Sequence, residues 1–317
     1  MSGPVSSADA PATPVRDGDA AEHVVEIVDG RATEVGGLAV RRLLPRRPRR
    51  TVGPWCFLDL LGPAEVTNGS SGTGGLDIGP HPHIGLQTVT WLVEGAVLHR
   101  DSLGSEQVIR PGQLNLMTAG HGVSHSEETS GIHTGRLHGA QLWVAQPDGT
   151  RDGAPAFEHH DDLPRVELAN GEVTTLVGEL LGATSPARHD SPQVGAELAL
   201  RAGPSSLPVR SAFEHALVVL DGSVTIEGRI VGTGQLAYLG VGRDEIAVDV
   251  TEDARLLLLG GEPFPEPVLM WWNYVARSRD EIAAAHRAWT DGDARFGTVA
   301  SPLARIDVPG PDATDHA

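Results

Sequence analysis

The chain has 317 residues, 40% of them hydrophobic, and a formal net charge of -18 with 24 basic residues, all arginine. That length suits about two domains, and without an apolar run of about 18 residues no transmembrane helix is predicted. So acidic a chain is repelled by phosphate backbones, which disfavours direct nucleic-acid binding.

From the start, Met1 to Asp19 is rich in Ala, Pro, Ser and Asp and lacks a basic segment followed by an apolar core. It does not read as a secretory signal; residues 1–22 are expected to be a disordered tail, and the protein to be cytoplasmic. Arg41, Arg42, Arg46, Arg47, Arg49 and Arg50 then fall within ten residues. Leu43, Leu44 and Pro45 interrupt this run and apolar Val52 to Leu61 follows it, so a packed loop pairing with acidic groups is favoured over a nucleic-acid-binding arm. The single cysteine, Cys56, lies between Trp55 and Phe57. It cannot form an intramolecular disulfide, and it is read as a small buried hydrophobe.

Short apolar runs follow, separated by Gly and Pro clusters: Thr88 to Val93, Gln113 to Thr118, Leu142 to Ala145, Leu217 to Leu220, Ser223 to Ile226, Leu236 to Leu239, Ile246 to Val250 and Leu256 to Leu259. Turn signals such as Glu94-Gly95, Pro111-Gly112 and Asp221-Gly222 bound them, and many short strands so spaced predict an all-β sandwich or barrel. A coarse repeat is also visible. Leu92-Val93-Glu94-Gly95 leads on to Gly112-Gln113-Leu114, and Val219-Leu220-Asp221-Gly222 leads on to Gly234-Gln235-Leu236. Two copies of one β-domain are therefore expected: the first over 23–147, a linker over 148–164, the second over 165–300 with a terminal helix, and a tail over 301–317. The acidic end from Val308 is expected to be disordered. The helix is predicted from the capping box of Ser278 and Glu281 and from the helix formers up to Trp289.

Seven of the 14 histidines lie between His81 and His138. His81 and His83 flank Pro82, and His125 and Glu127 flank Ser126. On a strand, residues i and i+2 share a face, so each pair aims two side chains into one space. Two such strands facing each other could give one ion three imidazoles and a carboxylate. That donor set suits iron, zinc, copper, nickel or manganese rather than calcium or magnesium, and open positions favour Fe(II) oxygen chemistry. An octahedral ion would keep two positions free, whereas tetrahedral zinc would be closed. His99, His133 and His138 are read individually as surface or satisfied histidines. His121, in Gly120-His121-Gly122, is a candidate edge of the site, and His159-His160 is expected to be solvated in the linker. Glu214 and His215 are adjacent, so they point to opposite strand faces, and no second metal site is expected.

The segments Gly79 to Thr90, Leu98 to Gly104, Pro111-Gly112 with Met117 to Gly120, and Gly122 to Glu127 resemble the pirin family in order and spacing, as do Arg49 to Trp55 with Phe57 to Asp59 upstream. The likeness is specific over about residues 40–130 and looser beyond. It implies two cupin domains, each a jelly-roll barrel, with iron in the first held by His81, His83, His125 and Glu127. Gln87 departs from the pattern, since many members carry Glu there. That position is not the metal-binding carboxylate; Gln cannot act as a base there, but it can orient a neighbouring group.

The resemblance implies two readings. In one, the protein is a flavonol (quercetin) 2,3-dioxygenase acting on a small phenolic substrate with O2, with Glu127 taking the flavonol proton. In the other, it is a non-enzymatic regulator whose iron state sets its affinity for a protein partner, a transcription factor or a metabolic enzyme. Another metal-dependent reaction stays open, because the fold hosts many activities.

Overall fold

The structure, a computed structural model, describes residues 24–311 apart from 48, 67–74, 130, 131, 133 and 134. The expected tail over 1–22, the last six residues and His133 lie outside the described residues. Strands fill most of the rest. The first half gives β1 (Glu26–Asp29), β2 (Arg31–Val35), β3 (Leu38–Leu44), β4 (Trp55–Glu65), β5 (Ile78–His83), β6 (Leu86–Glu94), β7 (Val97–Asp101), β8 (Glu106–Ile109), β9 (Leu114–Thr118), β10 (Val123–Glu128), β11 (Arg136–Ala145) and β12 (Ala156–His160). The second gives β13 (Arg165–Leu168), β14 (Gly171–Leu180), β15 (Ala183–Thr184), β16 (Gln193–Leu200), β17 (Gly203–Pro208), β18 (Glu214–Asp221), β19 (Ser223–Ile226), β20 (Arg229–Gly232), β21 (Gln235–Gly240), β22 (Glu245–Val250) and β23 (Ala254–Gly261). A hairpin of β24 (Leu269–Trp271) and β25 (Tyr274–Ala276) and a helix α1 (Arg279–Thr290) complete the chain's main elements. Among the described residues no helix is long and apolar enough to cross a membrane.

The predicted strand runs fall on β6, β9, β11, β18, β19, β21, β22 and β23. β6 shows why. Its β-branched and aromatic residues suit a pleated surface, and most of the strand is buried on both faces. Gly95, at a φ of 97°, makes the turn that ends it, a conformation that costs glycine little.

The repeat is realised as two barrels of matching layout, the second with one extra short strand, β15, paired to β14. The first barrel sets the sheet β12-β9-β6-β11-β4-β3-β2 against β5-β10-β7-β8, and the second sets β1-β21-β18-β23-β16-β14-β13 against β17-β22-β19-β20. The two large sheets pack on each other through Leu58, Val89, Trp91 and Leu142 from one and Val177, Val218, Leu236 and Leu257 from the other. Trp55 locks this face: its indole N–H lies 3.2 Å from the Val194 carbonyl and 3.1 Å from that of Gly260. Gly195 has to be glycine there, because a Cβ would stand 2.8 Å from the indole ring.

Three boundary expectations need correction. β1, expected in the first barrel, pairs with β21 of the second, where Val28 joins the apolar cluster between the barrels. The expected linker contains β12, which extends the first barrel's large sheet by pairing with β9. His159 and His160 are therefore half-buried and hydrogen-bonded, to Asn115 and Glu158, rather than solvated. α1 spans the predicted helix, and Ser278 accepts from the Glu281 N–H. It packs with Ile84 of the first barrel, because Ile282, Ala285 and Trp289 bury one face against Tyr274 and Phe296. The stretch up to 311, expected as tail, also returns to the first barrel: the Ile306 N–H donates to the Pro80 carbonyl, and Val308 is buried in the same cluster.

The arginine cluster is a strand plus a loop rather than a loop alone. Arg41 and Arg42 lie in β3. Arg42 makes a buried two-point ion pair with Asp59 at 2.8 and 2.7 Å, and Arg49 pairs with Glu26 and lies 3.5 Å from the Tyr238 ring centroid. Cys56 is fully buried, and burial pushes its thiol up to about 12.

Candidate metal centre

Of the four expected ligands, His81, His83 and His125 come together. In β5 and β10, which pair antiparallel, His81 stands opposite His125. Cross-strand partners share a face, so both rings enter the barrel, joined by His83. One nitrogen from each of the three imidazoles lies within 4.8 Å of the others, and all three residues are buried. Glu127 lines the same cavity but stands outside that cluster. The register shifts between His125 and Glu127, which displaces the carboxylate along the strand.

The outer ring nitrogens are each committed. His81 Nδ1 lies 2.9 Å from the Gly79 carbonyl, and His83 Nδ1 lies 3.0 Å from that of Asn273. A carbonyl only accepts, so both Nδ1 atoms carry the proton, which leaves each Nε2 with a lone pair. His125 Nδ1 lies 3.3 Å from His99 Nδ1, and His99 Nε2 lies 3.1 Å from Asp101 Oδ2. Since the carboxylate takes the His99 Nε2–H, His99 Nδ1 accepts and His125 Nδ1 donates. His83 Nε2 and His125 Nε2 then face each other at 3.0 Å. Two lone pairs at that distance repel unless a cation stands among them, so the donor set fits a metal ion.

Burial supports the same state. It lowers His81 to about 4 and puts His83 and His125 well below their usual range, the neighbouring rings adding to the effect. All three are thus neutral and able to ligate. Burial raises Glu127 to about 7. Burial also opposes charge on Asp101, but hydrogen bonds from His99 and Ser105 hold its carboxyl below the usual range.

His99 and Asp101 are the residues the sequence reading missed. Their signal was present, because His99-Arg100-Asp101 has the same i, i+2 spacing, and β7 pairs with β10 so that Asp101 stands opposite His125 and His99 opposite Glu127. Of the two readings, surface or satisfied, His99 takes the second: it is buried, hydrogen-bonded at both ring nitrogens and stacked on Phe157 of β12, with centroids 4.4 Å apart. It positions His125 through a hydrogen bond. His99→Phe keeps the stacking ring and loses that bond, so metal affinity is expected to fall about 10–100-fold in chelator competition with little change in melting temperature. An unchanged affinity would reduce His99 to packing.

Three other expectations separate here. His121 is exposed and bonded to the Gly153 carbonyl, and it does not line the cavity. His138 is buried, in keeping with a satisfied histidine. Gln87 does not orient a ligand. Opposite Val144 in register, it shares the face that packs on the second barrel, and it donates to the Thr118 hydroxyl at 3.1 Å. The cavity wall is instead built by Phe57 and Trp143, stacked at 4.0 Å, together with Asp59, Gln141, Trp272 and Ile306.

Comparison with known proteins agrees with this architecture. The family model described as Pirin matches residues 37–144, and the one described as Pirin C-terminal cupin domain matches 196–297. A Pseudomonas aeruginosa protein provisionally named a quercetin 2,3-dioxygenase is 51% identical over 280 residues, 88% of this chain and 87% of that one. A pirin-like protein of Caulobacter vibrioides is 37% identical over 84% of this chain and 93% of its own. A crystal structure of a quercetin 2,3-dioxygenase from Acinetobacter baumannii superposes with a TM-score of 0.87 at 43% identity, covering 91% of this chain and 96% of that one.

Proposed function

The chain belongs to the pirin family, with two cupin domains in tandem, and from that footing we propose that it is an iron-dependent dioxygenase of the quercetin 2,3-dioxygenase type. The observation that carries the proposal is the convergence of three neutral imidazoles, each with its outer nitrogen already committed, on one point of a cavity with an aromatic wall. The names of the similar Pseudomonas and Acinetobacter proteins support the substrate class.

His81, His83 and His125 would hold the metal, with Glu127 as the fourth ligand. A bound Fe(II) would supply open positions for a flavonol hydroxyl and for O2 and would lower the pKa of that hydroxyl. Glu127, which lines the same cavity beside the imidazoles, takes the hydroxyl proton. Phe57 and Trp143 offer a flat apolar surface to an aromatic ring, and the burial around them excludes bulk water. His99 and Asp101 hold the His125 ring in its ligating orientation.

One observation favours a second reading. With Trp272 and Ile306 in place the cavity holds only about 50 Å³, space for a few waters or O2 but well below the roughly 300 Å³ at which pockets for drug-sized ligands begin. A flavonol therefore requires this wall to move outward. A regulator that senses iron state for a protein partner requires no such movement.

One experiment separates the two. Protein loaded with Fe(II) without oxygen and then mixed with quercetin in air should bleach the flavonol absorbance band, and His81→Ala should not. An unchanged band with stoichiometric iron would overturn the flavonol reading.

A further inference from the structure

Among the buried polar side chains of the second barrel that lack a hydrogen-bond partner, Thr175 and Gln193 included, His215 is the one that lines a cavity. His215 stands opposite Gly260 in register between β18 and β23, and its residue is fully buried. Neither ring nitrogen meets a hydrogen-bonding group among the described residues. Its neighbour Glu214 is engaged at the opposite face, where it accepts from the Gly53 N–H and the Tyr238 hydroxyl. Gly260 makes room for the ring, since a Cβ there would lie 2.8 Å from His215 Cδ2. Buried polar groups are as a rule hydrogen-bonded, so an imidazole given a glycine's space and no partner points to a ligand.

A cavity of about 210 Å³ reaches this ring, with Leu180, Val194, Val209 and Phe213 among its walls. The Phe213 and His215 ring centroids are 6.1 Å apart. At the rim, the exposed Arg210 pairs with Glu179 at 3.3 Å and lies over the Phe213 ring. The two rim charges offset each other, so the opening selects for no net charge. Burial and the nearby Arg243 keep His215 neutral. A neutral imidazole offers one N–H and one lone pair, and a hydroxyl complements either. The volume lies below the range of pockets for drug-sized ligands and suits a single ring.

We propose that the second barrel is a binding site for a small uncharged phenol, its hydroxyl on His215 and its ring among Leu180, Val194 and Phe213. The site is separate from the metal centre and does not depend on what that centre does.

Phenol is the probe and toluene its counterpart without the hydroxyl. In the full-length protein with labelled histidine, phenol should shift the His215 ring resonances and bind there about tenfold tighter than toluene, the worth of one hydrogen bond. His215→Phe should abolish that preference. Val209→Trp, at a half-buried position that lines the cavity at the edge of the barrel's core, should fill the cavity and block binding, and it serves if His215→Phe does not fold. His215 resonances indifferent to phenol, equal affinity for toluene, a response that survives Val209→Trp, or shifts confined to the first barrel's histidines would each overturn the proposal.

Discussion

Replacing His83 by alanine is expected to abolish stoichiometric metal retention. Loss of a hydrogen-bond partner outside the metal's own ligands typically costs 10–100-fold in affinity; loss of a ligand should exceed that, so the expected weakening is more than about 100-fold. The His83 ring is fixed from two sides. Its Nδ1 is bound to the Asn273 carbonyl, contributed from 190 positions away, and its ring packs edge-on against Trp143 with centroids 5.2 Å apart. Its Nε2 is therefore aimed without rotamer freedom to lose on binding. Metal analysis after dialysis, with wild type alongside, measures the effect. If a variant lacking both His125 and Glu127 kept its metal in full, the four-ligand site would be wrong.

Asp59→Ala should be the most destabilising change in the cavity wall, at roughly 3–5 kcal/mol. Asp59 and Arg42 are both nearly inaccessible to solvent, and they form two parallel bonds. Removing the carboxylate leaves a guanidinium buried in apolar surroundings, with Phe57 4.7 Å away. The penalty is the stranded charge rather than the worth of the pair. It follows that Asp59→Leu combined with Arg42→Met should recover most of the loss, since a well-packed apolar pair replaces a buried ion pair at little net cost. Urea unfolding of the two variants tests this directly. A single-variant loss under about 1 kcal/mol would mean that the pair behaves as a solvated one.

The two changes report on different parts of one wall. Asp59 and Phe57 share the inward face of β4, and Trp143 stands opposite Phe57 on β11. Loss of the ion pair should therefore loosen the aromatic surface beside the imidazoles as well as lower stability. Iron bound to Asp59→Leu with Arg42→Met at wild-type stoichiometry would show that the ligands are held by their own strands and by Asn273 rather than by this wall.

The sequence by itself determined the three converging imidazoles and the doubling of the barrel. His81, His83 and His125 were legible because a strand's faces alternate every residue, so a spacing of two fixes a shared direction without knowledge of anything distant. The turns at Gly95 and Gly222 and the strands after them marked the repeat for the same local reason. Only the tertiary structure decided what surrounds those rings. The return of Trp272, Asn273 and Ile306 onto the first barrel, the seating of β1 in the second, and the turning of Gln87 toward the domain interface all depend on which sheet face meets which. These are contacts between residues far apart in the chain, and they carry no periodicity a local reading can detect. His99 and Asp101 stand between the two cases. Their spacing was local and visible, but it gained meaning only when β7 was laid beside β10. The direction of a side chain follows from its neighbours in sequence, whereas its partner follows from the register of strands that the whole fold must close.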